Sequence, residues 1–216
     1  MEHRGKPGER CVSCGSKARH RIALEVYRKF LPIGRQDKTQ RVLHLAPEKS
    51  LSGKLLEWFG GGYITADPAP ERYEHVKCLR LFFPQDYEIF PDGYFNVILH
   101  NHVLEHIPGH YKDHLGRFMR MLQPGGVMVF SVPGPYLDQE TTEGGEHLNT
   151  DRERLEKFKQ EDHFKLFGRD FVKYLAEMEN CELISDGITD EFRQSVSVRK
   201  GKATFYILRK DQDKGQ

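Results

Sequence analysis

The feature that most constrains the fold is an apolar run that ends in a polar cluster and is followed, one helix length later, by a Pro-Gly-Gly turn. The apolar run covers residues 95–99 and the polar cluster residues 100–106, and Pro124-Gly125-Gly126 leads into a second apolar run at 127–132. This order predicts a strand, a helix over about 110–121 and another strand. Because ligands bind outside the carboxyl ends of the strands in open α/β sheets, the polar cluster is placed for chemistry.

A strand–helix–strand unit precedes this region. Apolar runs at 41–46 and 63–66 predict two short strands, and residues 50–59 between them predict a helix that Gly60-Gly61-Gly62 stops. Another amphipathic helix is predicted over 19–31, where apolar residues recur at helical spacing. A crossover helix of this kind joins parallel strands, so we expect a parallel sheet.

The C-terminal part predicts a helix over 170–178 and two strands, at 181–185 and 203–208. Residues 133–150 form a loop long enough to be a lid or a substrate-binding element, whereas no elements are predicted within 68–94. Alternating strands and helices followed by a late strand pair predict a doubly wound α/β sheet with an antiparallel edge.

Composition narrows the class of protein. Hydrophobic residues make up 38% of the 216 residues, and no apolar run approaches the roughly 20 residues of a membrane span. The charged N-terminus lacks the apolar core of a signal peptide, so we expect a cytoplasmic protein without a membrane partner. A formal net charge of +1 gives no broad electrostatic reason to bind nucleic acid, and a small-molecule substrate fits this balance better.

Two of these segments resemble one enzyme family. Residues 101–107 read NHVLEHI and residues 122–126 read LQPGG. They are similar to the VLEHI segment and the LxPGG turn that flank a central strand in the class I S-adenosylmethionine (SAM) dependent methyltransferases. The resemblance covers roughly residues 40–209. It implies a seven-stranded, Rossmann-like, mostly parallel sheet with an antiparallel C-terminal edge strand, SAM as the cofactor and S-adenosylhomocysteine (SAH) as the product.

The same resemblance implies a division of the chain. A methyltransferase domain is expected over 19–209, with a lid or substrate insertion at 133–169. An N-terminal CxxC segment (1–18) and a short tail (210–216) flank it. The oligomeric state stays open, and a homodimer is one of the alternatives.

Asp67 is the first candidate for cofactor binding. It ends the second predicted strand about 20 residues after the first, which is the spacing at which an acid binds the ribose hydroxyls of a nucleotide-like cofactor. An ionised carboxylate can accept hydrogen bonds from both hydroxyls. The alternative is that Asp67-Pro68 only begins a turn.

The loop after the first strand departs from the common pattern of the family, which has an acid followed by glycines at alternate positions. Residues 43–48 read LHLAPE instead and resemble a subgroup of small methyltransferases whose first loop reads LHxAPE. Glu48 could also serve only as a favourable acid at the start of a helix. The cofactor-binding residues implied by the resemblance, besides Asp67, are His44, Ala46, Pro47, Glu48, Asn101 and His102.

Two histidines are candidates for the catalytic base. A hydroxyl acceptor must lose a proton during methylation, and histidine titrates near neutral pH. His102 directly follows the central strand, where family members line the site of methyl transfer, and is the first candidate; His106 is the second. Alternatively, Glu105 and His106 hold SAM or the fold, and the enzyme acts by positioning alone.

Substrate-binding residues are expected in and after the 133–150 loop. Residues 161–171 read EDHFKLFGRDF and resemble a DHxRxFGxDF stretch of the same subgroup. This implies that the stretch forms part of the substrate pocket or its lid. The candidate substrate-binding residues are Tyr136, His147, His163 and Arg169.

Two groups of residues raise the question of a metal. Histidines at 100, 102, 106, 110 and 114 include pairs at helical spacing, but Pro108-Gly109 interrupts the segment and His100 belongs to the strand, so we expect no metal there. Cys11 and Cys14 resemble half of a small zinc ribbon. They offer two of the four ligands of a structural zinc site, which His3, His20 or another subunit could complete. We favour the alternative, a remnant turn that leads into the first helix.

The function that these observations favour is methyl transfer from SAM to a small molecule, with O-methylation ahead of N- or S-methylation. A noncatalytic SAM-binding or zinc-linked interaction protein is the second hypothesis, and a nucleic-acid or protein methyltransferase the third. A dehydrogenase is disfavoured because no GxGxxG follows the first strand.

Overall fold

The computed structural model describes residues 10–13, 15–33, 39–196 and 204–212. Within these residues the strands are β1 (Val42–Leu45), β2 (Tyr63–Asp67), β3 (Cys78–Arg80), β4 (Phe95–Asn101), β5 (Leu122–Ser131), β6 (Cys181–Ile184) and β7 (Tyr206–Lys210). The α-helices are α1 (Ala18–Phe30), α2 (Lys49–Phe59), α3 (Tyr111–Met121), α4 (Asp151–Phe158), α5 (Arg169–Glu177) and α6 (Asp190–Ser195). None of the helices in this part of the chain is long and apolar enough to cross a lipid bilayer.

The strands form one sheet in the order β3-β2-β1-β4-β5-β7-β6. Strands β1 to β5 run parallel, and β7 runs antiparallel to both of its neighbours. The predicted α/β class with a mostly parallel seven-stranded sheet is therefore confirmed. One detail differs, because the C-terminal strand β7 lies one position inside the edge. Its residues Tyr206 to Leu208 are buried, whereas β6 is only half-buried and occupies the edge itself.

Two hydrophobic cores lie on opposite faces of the sheet, as the alternation of side chains along a strand requires. In β4, Val97 and Leu99 pack into a core with α1 and α2, whereas Ile98 packs into a core with α3 and α5. All three side chains are fully buried. Burial on both faces explains why the central strands are continuous apolar runs.

Several elements differ from the sequence-based expectation. Strand β3 lies in the 68–94 region, where three residues are too few to show a period. Helix α4 was not predicted, although Thr150 and Glu153 form a capping box that the sequence displays as a Thr-x-x-Glu pattern. Strand β5 begins directly at Leu122, ahead of the Pro-Gly-Gly turn at which the predicted strand started.

The segment between β5 and α5 folds back on itself. Thr142 and Leu166 exchange backbone hydrogen bonds, and the Gly145 amide donates to the Phe164 carbonyl. Gly168 fits this arrangement tightly, because a Cβ atom there would lie 2.3 Å from the carbonyl carbon of Glu140. The close backbone approach holds the two halves of the segment together.

We predict that Gly168→Ala lowers the free energy of unfolding by about 1–3 kcal/mol, because the added methyl group meets backbone atoms rather than a flexible side chain. Gly116→Ala in α3 is the matched control: it has open space around it and should raise stability by about 0.5–1 kcal/mol through better helix propensity. Urea denaturation of both variants checks this. Equal stability of Gly168→Ala and the wild type would contradict the tight packing.

Candidate functional site

A cavity of about 590 Å³ opens at the carboxyl ends of β1, β2 and β4. Its volume falls in the range of small-molecule sites, and its place in the sheet is the one where α/β proteins bind ligands. Four of the predicted site residues lie on its lining, namely Ala46, Asp67, His102 and His106. The sequence thus placed residues from three different strands at one opening.

Asp67 presents a fixed carboxylate to the cavity. The Ala69 amide donates to its Oδ1 at 2.8 Å and the Tyr73 hydroxyl donates to its Oδ2 at 2.9 Å. Burial of the Tyr73 hydroxyl, followed by its hydrogen bond to Asp67, raises the pKa of Tyr73, so Tyr73 stays protonated and remains a donor. Each carboxylate oxygen keeps acceptor capacity for a ligand.

Ala46 and His102 adopt backbone conformations that L-residues other than glycine rarely take. Their φ angles are 50° and 55°, in the left-handed region. The Ala46 amide donates to the Ala66 carbonyl at 3.0 Å and the His102 amide donates to the Ser131 carbonyl at 2.9 Å. Ala46 therefore takes a conformation that usually favours glycine. Such strain is concentrated at functional sites.

The half-buried carboxylate of Glu48 joins the first loop to the sheet. Glu48 Oε2 lies 2.9 Å from His44 Nε2, and His44 Nδ1 lies 2.7 Å from the Tyr63 hydroxyl oxygen. Burial raises the pKa of the Glu48 carboxyl, but its hydrogen bond with His44 and the nearby imidazoles outweigh this effect, and the net pKa lies below the usual range. Glu48 is also the N-cap residue of α2, so its backbone has the helix-starting role that the sequence left open.

Asn101 extends this network to the other side of the cavity. Its side-chain amide donates to Glu48 Oε1 at 3.0 Å and to the Tyr27 hydroxyl at 2.9 Å. The Ser131 hydroxyl donates to Asn101 Oδ1 at 3.2 Å. Both amide hydrogens of Asn101 are thus used within the protein. His44, Pro47, Glu48 and Asn101 lie behind the cavity rather than on its lining.

The predicted substrate residues are dispersed. The Tyr136 ring lies under the Lys159 ammonium, the His147 side chain is exposed, and Arg169 forms a surface ion pair with Glu140. None of these three lines the cavity. His163 differs from them, because it is buried and its ring centroid lies 4.8 Å from that of His106.

The turn after β4 gathers titratable groups beside the cavity. His102 Nδ1 lies 3.4 Å from Glu105 Oε1, and His106 Nε2 lies 3.9 Å from the same oxygen. His106 Nδ1 donates to the Asp162 carbonyl at 2.9 Å. Burial is the largest cause that lowers the pKa of His163. Glu105 itself is fully buried.

Sequence reasoning missed one wall of the cavity. Leu81, Phe82 and Phe83 follow β3 and line the opening together with Tyr73 and Gln85. The apolar run 81–83 directly after a strand end was the available signal. No sequence signal indicates the hydrogen bond from Tyr73 to Asp67, because that bond depends on the path of the loop after β2.

The family model described as "Methyltransferase domain" matches residues 19–186. The chain belongs to this methyltransferase family.

Solved structures agree on the fold. A SAM-dependent methyltransferase from Archaeoglobus fulgidus superposes with a TM-score of 0.54 at 14% identity, covering 91% of this chain and 95% of the other. A chain from the Haloferax volcanii complex between the Trm112 methyltransferase activator and a methyltransferase gives a TM-score of 0.54 at 15% identity, with 88% and 89% covered. A search of curated proteins finds no matching sequence.

The histidine-rich segment of the methyltransferase is not one cluster. His100 is buried in the core, where its ring stacks on Phe130. His110 is paired with Glu143 at the surface, and His114 is hydrogen-bonded to Tyr87. The pairs at helical spacing therefore point to different places.

The N-terminal cysteine pair falls partly outside the described residues, which include neither Cys14 nor His3. Cys11 is a free thiol in a turn, where the Gly15 amide donates to the Cys11 carbonyl at 2.9 Å. The ring of His20 is engaged elsewhere, because its Nδ1 lies 2.6 Å from the Ser50 hydroxyl oxygen.

We predict that His100 makes the methyltransferase sensitive to acid. Burial lowers its pKa from 6.5 to about 3, so the unfolded state alone takes up the proton between these values and stability falls as the pH drops below 6.5. Between pH 7 and pH 5, protonation of His100 in the unfolded state should lower the free energy of unfolding by about 2 kcal/mol.

His100→Leu should reduce the loss of unfolding free energy between pH 7 and pH 5 by that amount, as measured by urea denaturation at both values. An unchanged loss in the variant would show that other groups, such as His20 and His114, whose pKa burial lowers to about 4 in each case, carry the effect.

Proposed function

We propose that this chain transfers a methyl group from SAM to a small-molecule acceptor, and that SAM binds in the cavity at the ends of β1, β2 and β4. The observation that carries the proposal is Asp67, a carboxylate held by two hydrogen bonds at the end of β2 and facing that cavity. The cavity volume of about 590 Å³ suits a nucleoside-sized ligand. We also place the chain in the small-methyltransferase subgroup with the LHxAPE loop.

The residues present fit this cofactor. SAM, when bound, supplies an electrophilic methyl group on a sulfonium sulfur. Asp67 has free acceptor capacity for the ribose hydroxyls, and the left-handed turn at Ala46 brings small, glycine-like backbone to the cavity. Leu81, Phe82 and Phe83 offer an apolar wall for the adenine ring. His44, Pro47, Glu48 and Asn101 shape this site from behind as positioning residues.

His102 is the proposed general base. It lines the cavity at the end of the central strand, and Glu105 Oε1 lies 3.4 Å from its Nδ1. From this position His102 can take a proton from the hydroxyl of a bound acceptor. His106, which also lines the cavity, is the second candidate. A base here favours O-methylation.

The acceptor is proposed to enter beside the 133–169 segment. His163 is the member of the predicted substrate set that reaches the cavity region, through its contact with His106. Tyr136, His147 and Arg169 lie on outer parts of the same segment, where they would meet an acceptor only through a movement of that segment. We therefore rank His163 first among the substrate-binding candidates.

Calorimetric titration with SAM and with SAH tests the cofactor site. Asp67→Ala should weaken both affinities about 10- to 100-fold, since hydrogen bonds to a charged group contribute roughly 1.5–3 kcal/mol. Asp92→Ala is the matched control: this exposed acid pairs with Arg120 at the surface and should leave binding unchanged.

Equal binding by wild type and Asp67→Ala would remove Asp67 from the ribose site. No binding of either ligand to the folded wild type would reject the active-enzyme proposal and favour a noncatalytic protein of the same fold.

A further inference from the structure

Glu105 is a buried carboxylate without a hydrogen bond. Its side chain is 1% exposed, and neither of its carboxylate oxygens accepts a hydrogen bond in the part of the chain that the structure describes. Buried carboxylates are normally hydrogen-bonded, paired with a cation or bound to a metal ion. Neither oxygen is explained by the cofactor site proposed above, because Glu105 does not line the cavity.

Besides His102, the imidazoles of His106 and His163 lie close to this carboxylate. Glu105, His106 and His163 each offer one ligand atom, and these atoms lie within 4.8 Å of one another. Two atoms that are each about 2.1 Å from one ion can be at most about 4.2 Å apart, so a movement on the order of 1 Å closes the site. Side-chain rotation supplies a movement of that size.

The hydrogen bond of His106 leaves its Nε2 free for a ligand. His106 donates its Nδ1 hydrogen to the Asp162 carbonyl, which fixes the tautomer and leaves the lone pair on Nε2, the atom that faces Glu105. This is the usual arrangement for a histidine that binds a metal. His163 is 3% exposed, and its Nδ1 has no hydrogen-bond partner among the described residues.

We propose that Glu105, His106 and His163 bind a divalent first-row transition-metal ion with open coordination positions on the cavity side. Two imidazoles and one carboxylate form a ligand set that suits such ions and leaves room for water or a substrate oxygen. His106 and Asp162 line the cavity, so an oxygen ligand can approach from there.

The site also joins two distant parts of the chain. Glu105 and His106 belong to the turn after β4, whereas His163 belongs to the 133–169 segment. The Phe164 amide donates to the Glu105 carbonyl at 2.8 Å, which fixes His163 beside the turn before any ion binds. A bound ion therefore clamps this segment at the edge of the cavity.

The position of the ion beside the cavity indicates which class of acceptor it would hold. A divalent ion lowers the pKa of a coordinated water or hydroxyl group, so an acceptor with a hydroxyl oxygen would be held and activated there. This last step rests on the proposed methyl transfer, whereas metal binding itself does not.

Titration with Co²⁺ tests the site, because the visible absorption of the ion reports its ligands and geometry. The wild type should bind one ion without thiolate charge-transfer absorption, and a Cys11→Ser/Cys14→Ser variant should bind it equally well. Glu105→Gln and His163→Asn should each weaken Co²⁺ binding at least about tenfold. His110→Gln, an exposed histidine outside the cluster, should leave it unchanged.

Thermal unfolding provides a second readout. Without metal, Glu105→Gln should be at least as stable as the wild type, since neither carboxylate oxygen has a hydrogen bond to lose among the described residues. With Co²⁺, the wild type, the cysteine variant and the His110→Gln control should gain stability equally, and Glu105→Gln should gain less. If Glu105→Gln does not fold, His163→Asn carries the same test.

Loss of Co²⁺ binding in the cysteine variant, or wild-type affinity in both Glu105→Gln and His163→Asn, would overturn the proposal. So would the absence of any binding to the folded wild type. Because SAM titration is independent of Co²⁺ titration, failure of the proposed function and failure of the metal site give different results.

Discussion

The arrangement of the site depends on one half-buried carboxylate, that of Glu48. Its oxygens engage His44 in β1 and Asn101 at the end of β4, and Asn101 in turn reaches Tyr27 in α1. A carboxylate removed from water is normally compensated by hydrogen bonds and opposite charge. This requirement fixes the first loop, the central strand and the N-terminal helix relative to one another, and the cavity opens in front of that network.

The half-buried Glu48 and the fully buried Glu105 are in opposite situations. Glu48 has hydrogen-bond partners at both oxygens, and this network holds its pKa below the usual range. The carboxylate of Glu105 has no hydrogen-bond partner among the residues that the structure describes, although it lies on the turn that follows the same strand. A satisfied group stabilises the framework, whereas an unsatisfied buried group is poised for a ligand. The contrast separates the residues that position the site from those available for binding.

Much of the framework was accessible from the sequence. The strands β1, β2, β4 and β5 and the helices α1 to α3 were predicted because buried parallel strands are continuous apolar runs and amphipathic helices repeat every 3.6 residues. Asp67 lines the cavity from the end of β2, the position at which its spacing from the first strand placed it. Strand β3 was not predicted because it is three residues long. The resemblance placed the C-terminal strand at the edge, whereas β7 lies between β5 and β6, because strand order depends on pairing between distant segments.

The sequence by itself determined the α/β class, the methyltransferase resemblance and the strand ends at which chemistry is placed, since these follow from local periodicity and from short motifs. Only the tertiary structure decided which polar residues meet. In the structure, Asn101 belongs to an internal hydrogen-bond network. Tyr136, His147 and Arg169 do not line the cavity, whereas His163 lies next to Glu105 and His106. The physical reason is that these contacts join residues far apart in the chain. The contacts of Asn101 depend on the packing of helix α1 and the first loop against β4, and those of His163 depend on how the 133–169 segment folds back.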